Sequence, residues 1–212
     1  MPLLCDVLLE TTVAETAATA PGATDPNVEG PFFAAGAPDL GITGGDGAPP
    51  VPLPMRPDEP GDPLIFTGTV RSTDGRPLPG TVLDVWQADA TGRYSRFAPG
   101  LPEWNLRGRV RAGDDGRFAI RTVVPDPYDI PGEPHTAQIL GLLGVEPHRP
   151  AHLHVRLGAP GHEPLTTQVY FEGDPWLEQD VVGGARPSLT TKLEPADGGF
   201  TARFDFTLAP VR

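Results

Sequence analysis

Two histidines stand one residue apart in Arg149-Pro150-Ala151-His152-Leu153-His154, a stretch that reads as the start of a β-strand. In a strand, residues i and i+2 share a face, so both imidazoles aim at one place. Such a pair is a common start for a metal site, and it can equally line a polar strand face without binding anything. Among the three tyrosines, Tyr170 sits in an alternating strand and reads as packing. Tyr94 follows the turn Ala90-Thr91-Gly92-Arg93, and Tyr128 lies in the proline-stiffened run Val124-Pro125-Asp126-Pro127-Tyr128. Taken singly, each of these two phenols reads as a placed donor or as a loop anchor. Taken together with the histidines, they describe a site with two imidazoles and two phenolates. Free tyrosine has a pKa of about 10, so only a hard, strongly charged cation removes both protons at neutral pH. That favours ferric iron over zinc, whose sites use Cys, His and carboxylates. His135, His148 and His162 lack a partner pattern and read as surface residues.

The elements that must position these groups are short strands between turn signals. Leu64 to Val70, Thr81 to Trp86, Arg107 to Ala112, Arg117 to Val124, Ala151 to Leu157 and Leu165 to Phe171 are β-rich runs. Asp74-Gly75, Asp115-Gly116 and Pro160-Gly161 mark turns beside or between them. Phe200, Ala202, Phe204, Phe206 and Leu208 alternate with polar residues, which predicts one last strand with a buried face. Gly36 to Pro63 reads as a long loop, either functional or wrapped over the core. Leu3, Leu4, Val7 and Leu8 form an apolar stripe opposite Asp6 and Glu10, predicting a short N-terminal helix over residues 1–20, stopped by Pro21-Gly22. The expectation is an all-β chain: a β-sandwich of mixed sheets with long loops over residues 21–212, and the cation held between the sheets.

Composition narrows the classes. The chain of 212 residues carries 28 prolines and 26 glycines, about a quarter of the total, which suits a turn-rich β domain given that 38% of residues are apolar. A formal net charge of −12 argues against nucleic acid or anionic lipid as a partner. The single cysteine, Cys5, makes no internal disulfide framework, and the first basic residue is Arg56, so neither a secretory signal nor a transit peptide is expected. No apolar run has the length of a membrane span, and a cytoplasmic location is expected.

Several stretches together resemble the intradiol ring-cleavage dioxygenases of the catechol, chlorocatechol and hydroxyquinol 1,2-dioxygenase group. They are Glu29-Gly30-Pro31-Phe32-Phe33, Asp84-Val85-Trp86-Gln87-Ala88-Asp89 through Gly92-Arg93-Tyr94-Ser95, Val124-Pro125 through Tyr128, and Arg149 through His154. Thr166-Thr167-Gln168 and Phe171-Glu172-Gly173-Asp174-Pro175 complete the order. The resemblance implies a mononuclear non-haem Fe(III) ligated by Tyr94, Tyr128, His152 and His154. It implies insertion of both atoms of O2 into a small aromatic diol to give a cis,cis-muconate. Tyr128 is expected to leave the metal and take a substrate proton. Arg149 and Gln168 are expected beside the ring, Arg149 stabilising the negative charge that develops there. By position, Val28, Gly30, Pro31 and Phe32 would wall the pocket on one side and Val181 and Val182 on the other, with Leu3, Asp6 and Val7 at its mouth. Asp126 through Pro131 and Val169 through Leu177 lean toward the chlorocatechol branch, or else toward catechol itself.

The resemblance departs in one place. Family members carry a helical dimerisation domain before a Leu-Leu-x-Asp-Val stretch, which here is Leu3-Leu4-Cys5-Asp6-Val7. The expected state is therefore a monomer or a homodimer. Two other readings compete. A non-catalytic, transthyretin-like β-sandwich binding module is suggested by Gly68 through Trp86. A ferrous site of two histidines and one carboxylate would draw on Asp84 or Asp89, but it leaves the tyrosines without a reason.

Overall fold

The computed structural model describes residues 20–44, 47–130, 142 and 147–211. The expected N-terminal helix lies outside them but for its last residue, as do Leu3, Asp6, Val7 and His135. Two sheets account for most of the described chain. One runs in the order β1 (Asp39–Thr43), β5 (Arg107–Ala112), β4 (Val82–Gln87), β9 (His152–Gly158), β10 (Leu165–Phe171) and β11 (Thr190–Thr191). The other runs β12 (Glu194–Ala196), β13 (Gly199–Arg203), β3 (Pro63–Ser72), β6 (Arg117–Val123) and β2 (Val51–Pro52), with β14 (Phe206–Leu208) also on β3. A short antiparallel pair, β7 (Tyr128–Asp129) and β8 (His148–Arg149), stands apart. Central neighbours are antiparallel, while β1, β2, β11, β13 and β14 join in parallel. This is the all-β, mixed-sheet sandwich with long loops that the alternation predicts.

The core lies between the sheets and draws on alternate residues of each strand, as the pleat requires. Leu83 and Val85 of β4, Val110 of β5, Leu153, Val155 and Leu157 of β9 and Val169 of β10 meet Leu64 and Phe66 of β3, Phe118 and Ile120 of β6 and Phe206 of β14. His152 and His154 therefore point the other way, outward from the sandwich. The expectation that the cation site lies between the sheets is wrong for that reason. The slab between the sheets is filled by aliphatic and phenyl side chains, and the histidines lie on the opposite face of their sheet.

Two further expectations change. The stretch from Gly36 to Pro63 is not all loop: it contributes β1 and β2, one parallel edge strand to each sheet. The last alternating run is not one strand. β13 pairs with Leu64 through Thr67 of β3 and β14 with Val70 through Ser72. Between them the Asp205 carboxylate, rather than a backbone carbonyl, accepts the Thr69 N–H at 2.8 Å and interrupts the ladder.

Residues 20–33 form a strap across the edge of the outward face. Thr24 exchanges two hydrogen bonds with Thr207 of β14, its N–H donating at 2.9 Å and its Oγ1 accepting at 2.8 Å. Farther on, the Asn27 N–H donates to Thr166 at 2.8 Å and Asp25 accepts from the Thr167 hydroxyl at 2.8 Å. Among the described residues, no helix is long and apolar enough to cross a membrane.

Candidate metal centre

The outward face of β9 carries His152 and His154, and strand register sets their neighbours. Tyr170 stands opposite His152 and Gln168 opposite His154 across β10. On the other side Trp86 of β4 faces His154, and Arg107 of β5 faces Trp86. All are buried although they lie outside the sandwich, because loops cover this face. The indole of Trp86 stacks on the His154 ring with centroids 4.7 Å apart and planes 11° from parallel. A Cβ on Gly30 would lie 3.4 Å from Cε1 of His154, so the strap also closes on this ring.

Tyr94 arrives on a turn tied by one carboxylate. Asp89 Oδ1 accepts from the Thr91 and Arg93 N–H groups at 2.9 and 3.1 Å and from the Thr91 hydroxyl at 2.6 Å. Its Oδ2 pairs with Arg56 at 3.0 Å and with Arg93 at 3.1 Å. Burial alone would raise the Asp89 carboxyl, but these hydrogen bonds and the Arg93 charge outweigh it and hold the group below its usual range. Phe32 then stacks on the Tyr94 ring at 4.3 Å. Beneath them the buried Arg107 guanidinium donates to Phe32 O at 2.7 Å, Ser95 Oγ at 2.8 Å and Ser95 O at 3.0 Å. Burial lowers its pKa to about 10.

Tyr128 comes from β7, which the β7–β8 pairing sets opposite Arg149. Its ring meets Tyr94 edge-on at 5.2 Å and lies 5.6 Å from His152. The structure thus brings Tyr94, Tyr128, His152, His154, Arg149 and Gln168 together. The two Nε2 atoms of the histidines face one another at 3.0 Å. His152 Nδ1 lies 2.7 Å from Pro150 O, so it carries the proton and leaves Nε2 with a lone pair. Burial, then the Arg149 charge, hold the His152 imidazole down at about 3. Burial, His152 and Arg149 hold His154 well below its usual value. The Tyr94 hydroxyl is buried with no hydrogen-bond partner, and burial first, then Tyr128, push its pKa well above 10.

Two neutral imidazoles facing nose to nose, beside a phenol oxygen without a partner, fit a cation and explain little else. Buried polar atoms as a rule are paired, and the exceptions here include Trp86 Nε1 and His154 Nδ1 at this same site. Among the described residues no three His, Cys, Asp or Glu side chains gather at one place, as expected where half of the donors are phenols. The carboxylate alternatives fail on placement. Both oxygens of Asp89 are spent on its own turn and two arginines. Asp84 stands opposite Arg109 and Arg156, one step along β4 from the Trp86–His154 row. Burial raises its pKa to about 6 against the pull of those arginines.

The expected walls are distributed as follows. Val28 is buried and its carbonyl accepts from Gln168 Nε2 at 2.8 Å. Gly30 and Phe32 face His154 and Tyr94 as described, and Pro31 lies between them on the strap. Val182 packs with Ile130, two residues after Tyr128, with Val181 beside them. His148 is half-buried against Asp129 and Trp176 rather than free at the surface.

Two residues escaped the sequence reading. Tyr170, read as packing, donates its hydroxyl to Gln168 Oε1 and accepts from Arg149 Nη2 at 2.7 Å. Asp180 pairs with Arg149, Nε to Oδ1 at 3.1 Å and Nη2 to Oδ2 at 3.2 Å. Pairing β10 against the histidines would have placed Tyr170 beside Gln168. No local signal marks Asp180, which lies in a loop after the short 3-10 turn Leu177–Gln179.

A family model described as Dioxygenase matches residues 28–210. The chain belongs to the intradiol dioxygenase family of catechol, chlorocatechol and hydroxyquinol 1,2-dioxygenases. It is 43% identical over 198 residues to the chlorocatechol 1,2-dioxygenase of Rhodococcus opacus, covering 92% of this chain and 75% of that one. It is 40% identical over 214 residues to the 6-chlorohydroxyquinol 1,2-dioxygenase of Cupriavidus pinatubonensis, covering 99% and 74%. Superposition on the crystal structure of the 3-chlorocatechol 1,2-dioxygenase of Rhodococcus opacus 1CP gives a TM-score of 0.90 at 40% identity, over 99% of this chain and 82% of that one. Family membership removes the non-catalytic binding module as a reading.

Proposed function

We infer that this chain is a non-haem Fe(III) intradiol dioxygenase, inserting both atoms of O2 into a catechol- or chlorocatechol-type diol to give a cis,cis-muconate. The observation that carries the reading is the 3.0 Å approach of two neutral Nε2 atoms beside the unpartnered Tyr94 hydroxyl, in a chain of this family. We assign Tyr94, Tyr128, His152 and His154 as the residues that hold the metal. Ferric iron held there would supply a Lewis acid and a template for the diol.

The protein's own groups do the rest. We assign Gly30, Pro31 and Phe32 on the strap and Val181–Val182 in the loop after Asp180 as apolar walls for the aromatic ring of the diol. Tyr128 sits at the loop end of the site, where its phenol oxygen can take a proton from the incoming diol. Arg149 Nη1 lies 3.5 Å from both the Tyr128 oxygen and His152 Nε2, so its positive edge addresses the place where ring charge develops. Gln168, bridged between Arg149 Nη2 and Val28 O, fixes the guanidinium relative to the strap. The covering loops keep water from the site. Residues 21–212 serve as one catalytic sandwich, and the cytoplasm is the proposed compartment on charge and the lone cysteine.

Iron-loaded protein should be red to purple from tyrosinate-to-iron charge transfer, and should consume O2 with catechol while an ultraviolet muconate band grows. Tyr94→Phe should bleach or shift the visible band. Stoichiometric iron without colour, or colour without O2 uptake across a panel of catechol, chlorocatechols and hydroxyquinol, would sink the assignment.

A further inference from the structure

The guanidinium of Arg149 is buried and uses its donors unevenly. Nε donates to Asp180 Oδ1 at 3.1 Å, and the two N–H bonds of Nη2 are shared among Gln168 Oε1 at 2.9 Å, the Tyr170 hydroxyl at 2.7 Å and Asp180 Oδ2 at 3.2 Å. Nη1 is different. Its nearest partners, Tyr128 and His152, both stand at 3.5 Å, the outer limit of a hydrogen bond. One edge of a buried cation is held tightly from behind while the opposite edge keeps its donors available at the metal centre. The carboxylate that does the holding is itself buried, its side chain 2% exposed, and it also accepts the Ala185 N–H at 2.9 Å.

Asp180 lies next to Val181 and Val182, and the rest of this loop is fitted against the same cluster. A Cβ on Gly184 would stand 2.6 Å from the Tyr170 oxygen and 3.0 Å from both Arg149 Nη2 and Asn27 Oδ1. The Asn27 amide donates to Gly184 O at 2.8 Å, joining loop and strap. Nothing larger than hydrogen fits at Gly184, so the loop, the guanidinium and the Tyr170 phenol pack as a single unit.

We propose that Asp180 is a positioning residue that aims the Nη1 edge of Arg149 at the bound diol and couples that aim to the pocket wall Val181–Val182. The proposal rests on the functional reading above. It goes beyond charge neutralisation: a counter-ion could sit anywhere near Arg149, whereas this one grips Nε and Nη2 and leaves Nη1 to the site. A shift of the wall moves the carboxylate, and a shift of the carboxylate turns the guanidinium. Chlorine on the substrate ring, by pressing on the wall, would therefore change how well Arg149 meets the ring charge.

The experiment compares wild type with Asp180→Asn, which keeps the shape and one acceptor oxygen, and Asp180→Glu, which keeps the charge on a longer arm. The iron-loaded proteins are assayed with catechol and with 4-chlorocatechol, and their visible spectra recorded. The metal-free proteins are treated with phenylglyoxal, an arginine-selective reagent, and labelling of Arg149 is followed by peptide mass analysis. In Asp180→Asn the visible band should stay in place because the proposed ligands are untouched. Its kcat should fall about 10- to 100-fold, as expected for a reacting group misplaced by a fraction of an ångström to an ångström, with KM moving less than about threefold. The ratio of kcat/KM for the two substrates should shift by at least about threefold, and Arg149 should label at least about tenfold faster than in wild type. Asp180→Glu should recover part of the protection.

A folded Asp180→Asn or Asp180→Glu with wild-type kcat, substrate ratio and protection of Arg149 would overturn the proposal. So would an Asp180→Asn that loses activity and band together while Arg149 stays protected, since Asp180 would then be acting on the ligands. The labelling needs neither iron nor turnover: a wild type that binds no iron defeats the functional reading, while Arg149 protection still decides whether Asp180 holds the guanidinium.

Discussion

The two faces of the strands β4, β9 and β10 are made of alternating residues of the same short segments, yet they bury opposite kinds of chemistry. Inward, Val85, Leu153, Val155 and Val169 meet the second sheet in a dry apolar layer. Outward, Trp86, His152, His154, Gln168 and Tyr170 are just as inaccessible but lie among polar and ionisable groups covered by loops. The inward face stabilises the fold through area removed from water, at about 25 cal/mol per Å². The outward face costs stability, because buried imidazoles, a lone phenol and two guanidiniums have given up water for partial replacements. Rigidity from the first face lets the second hold unsatisfied groups in place, where they are available to a metal and a diol.

That division can be tested by substitutions on each face. The largest activity loss should come from the outward face. Arg149→Lys, which keeps the charge but loses the fork that Asp180, Gln168 and Tyr170 hold, should lower kcat about 10²- to 10³-fold and cost about 1–3 kcal/mol of stability. Steady-state rates with thermal unfolding of the same samples check both halves. If Arg149→Lys unfolds the protein instead, the faces are not separable. The largest stability loss should come from the inward face. Phe66→Ala should cost about 3–5 kcal/mol, lowering the melting temperature by about 6–20 °C, while the surviving folded fraction keeps its colour.

Metal removal should separate the faces further. Chelation of iron should lower the melting temperature of wild type, since a ligand that binds only the folded state stabilises it. The same treatment should leave His154→Ala unchanged, while Phe66→Ala still responds. A smaller effect is expected at Asp84, on the outward face but away from the histidines. Its pKa rises from 3.8 to about 6 on folding, chiefly through burial. The folded state thus holds this proton more tightly than the unfolded chain, so the contribution is full below about pH 4 and is lost as pH rises through about 6. Asp84→Asn should therefore be more stable relative to wild type at pH 7 than at pH 4, and equal offsets at both would show that burial does not raise this carboxyl.

Much of the fold was legible because alternation and Asp-Gly turns are local signals. Arg107–Ala112 and Leu165–Phe171 fall where their patterns predict. The break at Asp205 was not legible, because a carboxylate that accepts one ladder N–H leaves the apolar alternation around it intact. Nor was the face. Alternation says that His152 and His154 share a side, but which side meets the second sheet depends on where the apolar positions of all the strands converge. At the site, residues with unusual chemistry stood out in the sequence, namely the histidine pair and the two loop tyrosines. Asp180 and Tyr170 did not, because an ordinary aspartate in a loop and an ordinary tyrosine in a strand gain their meaning only through register and long-range packing.

The pair of hydrogen bonds between Thr24 and Thr207 joins residues 183 apart in the chain. The strap proposed to wall the pocket is thus fastened to a segment that leaves the ribosome long after it. Polypeptide halted short of β14 would lack that fastening, so the strap would be tied down on nascent protein only after translation had run past residue 207.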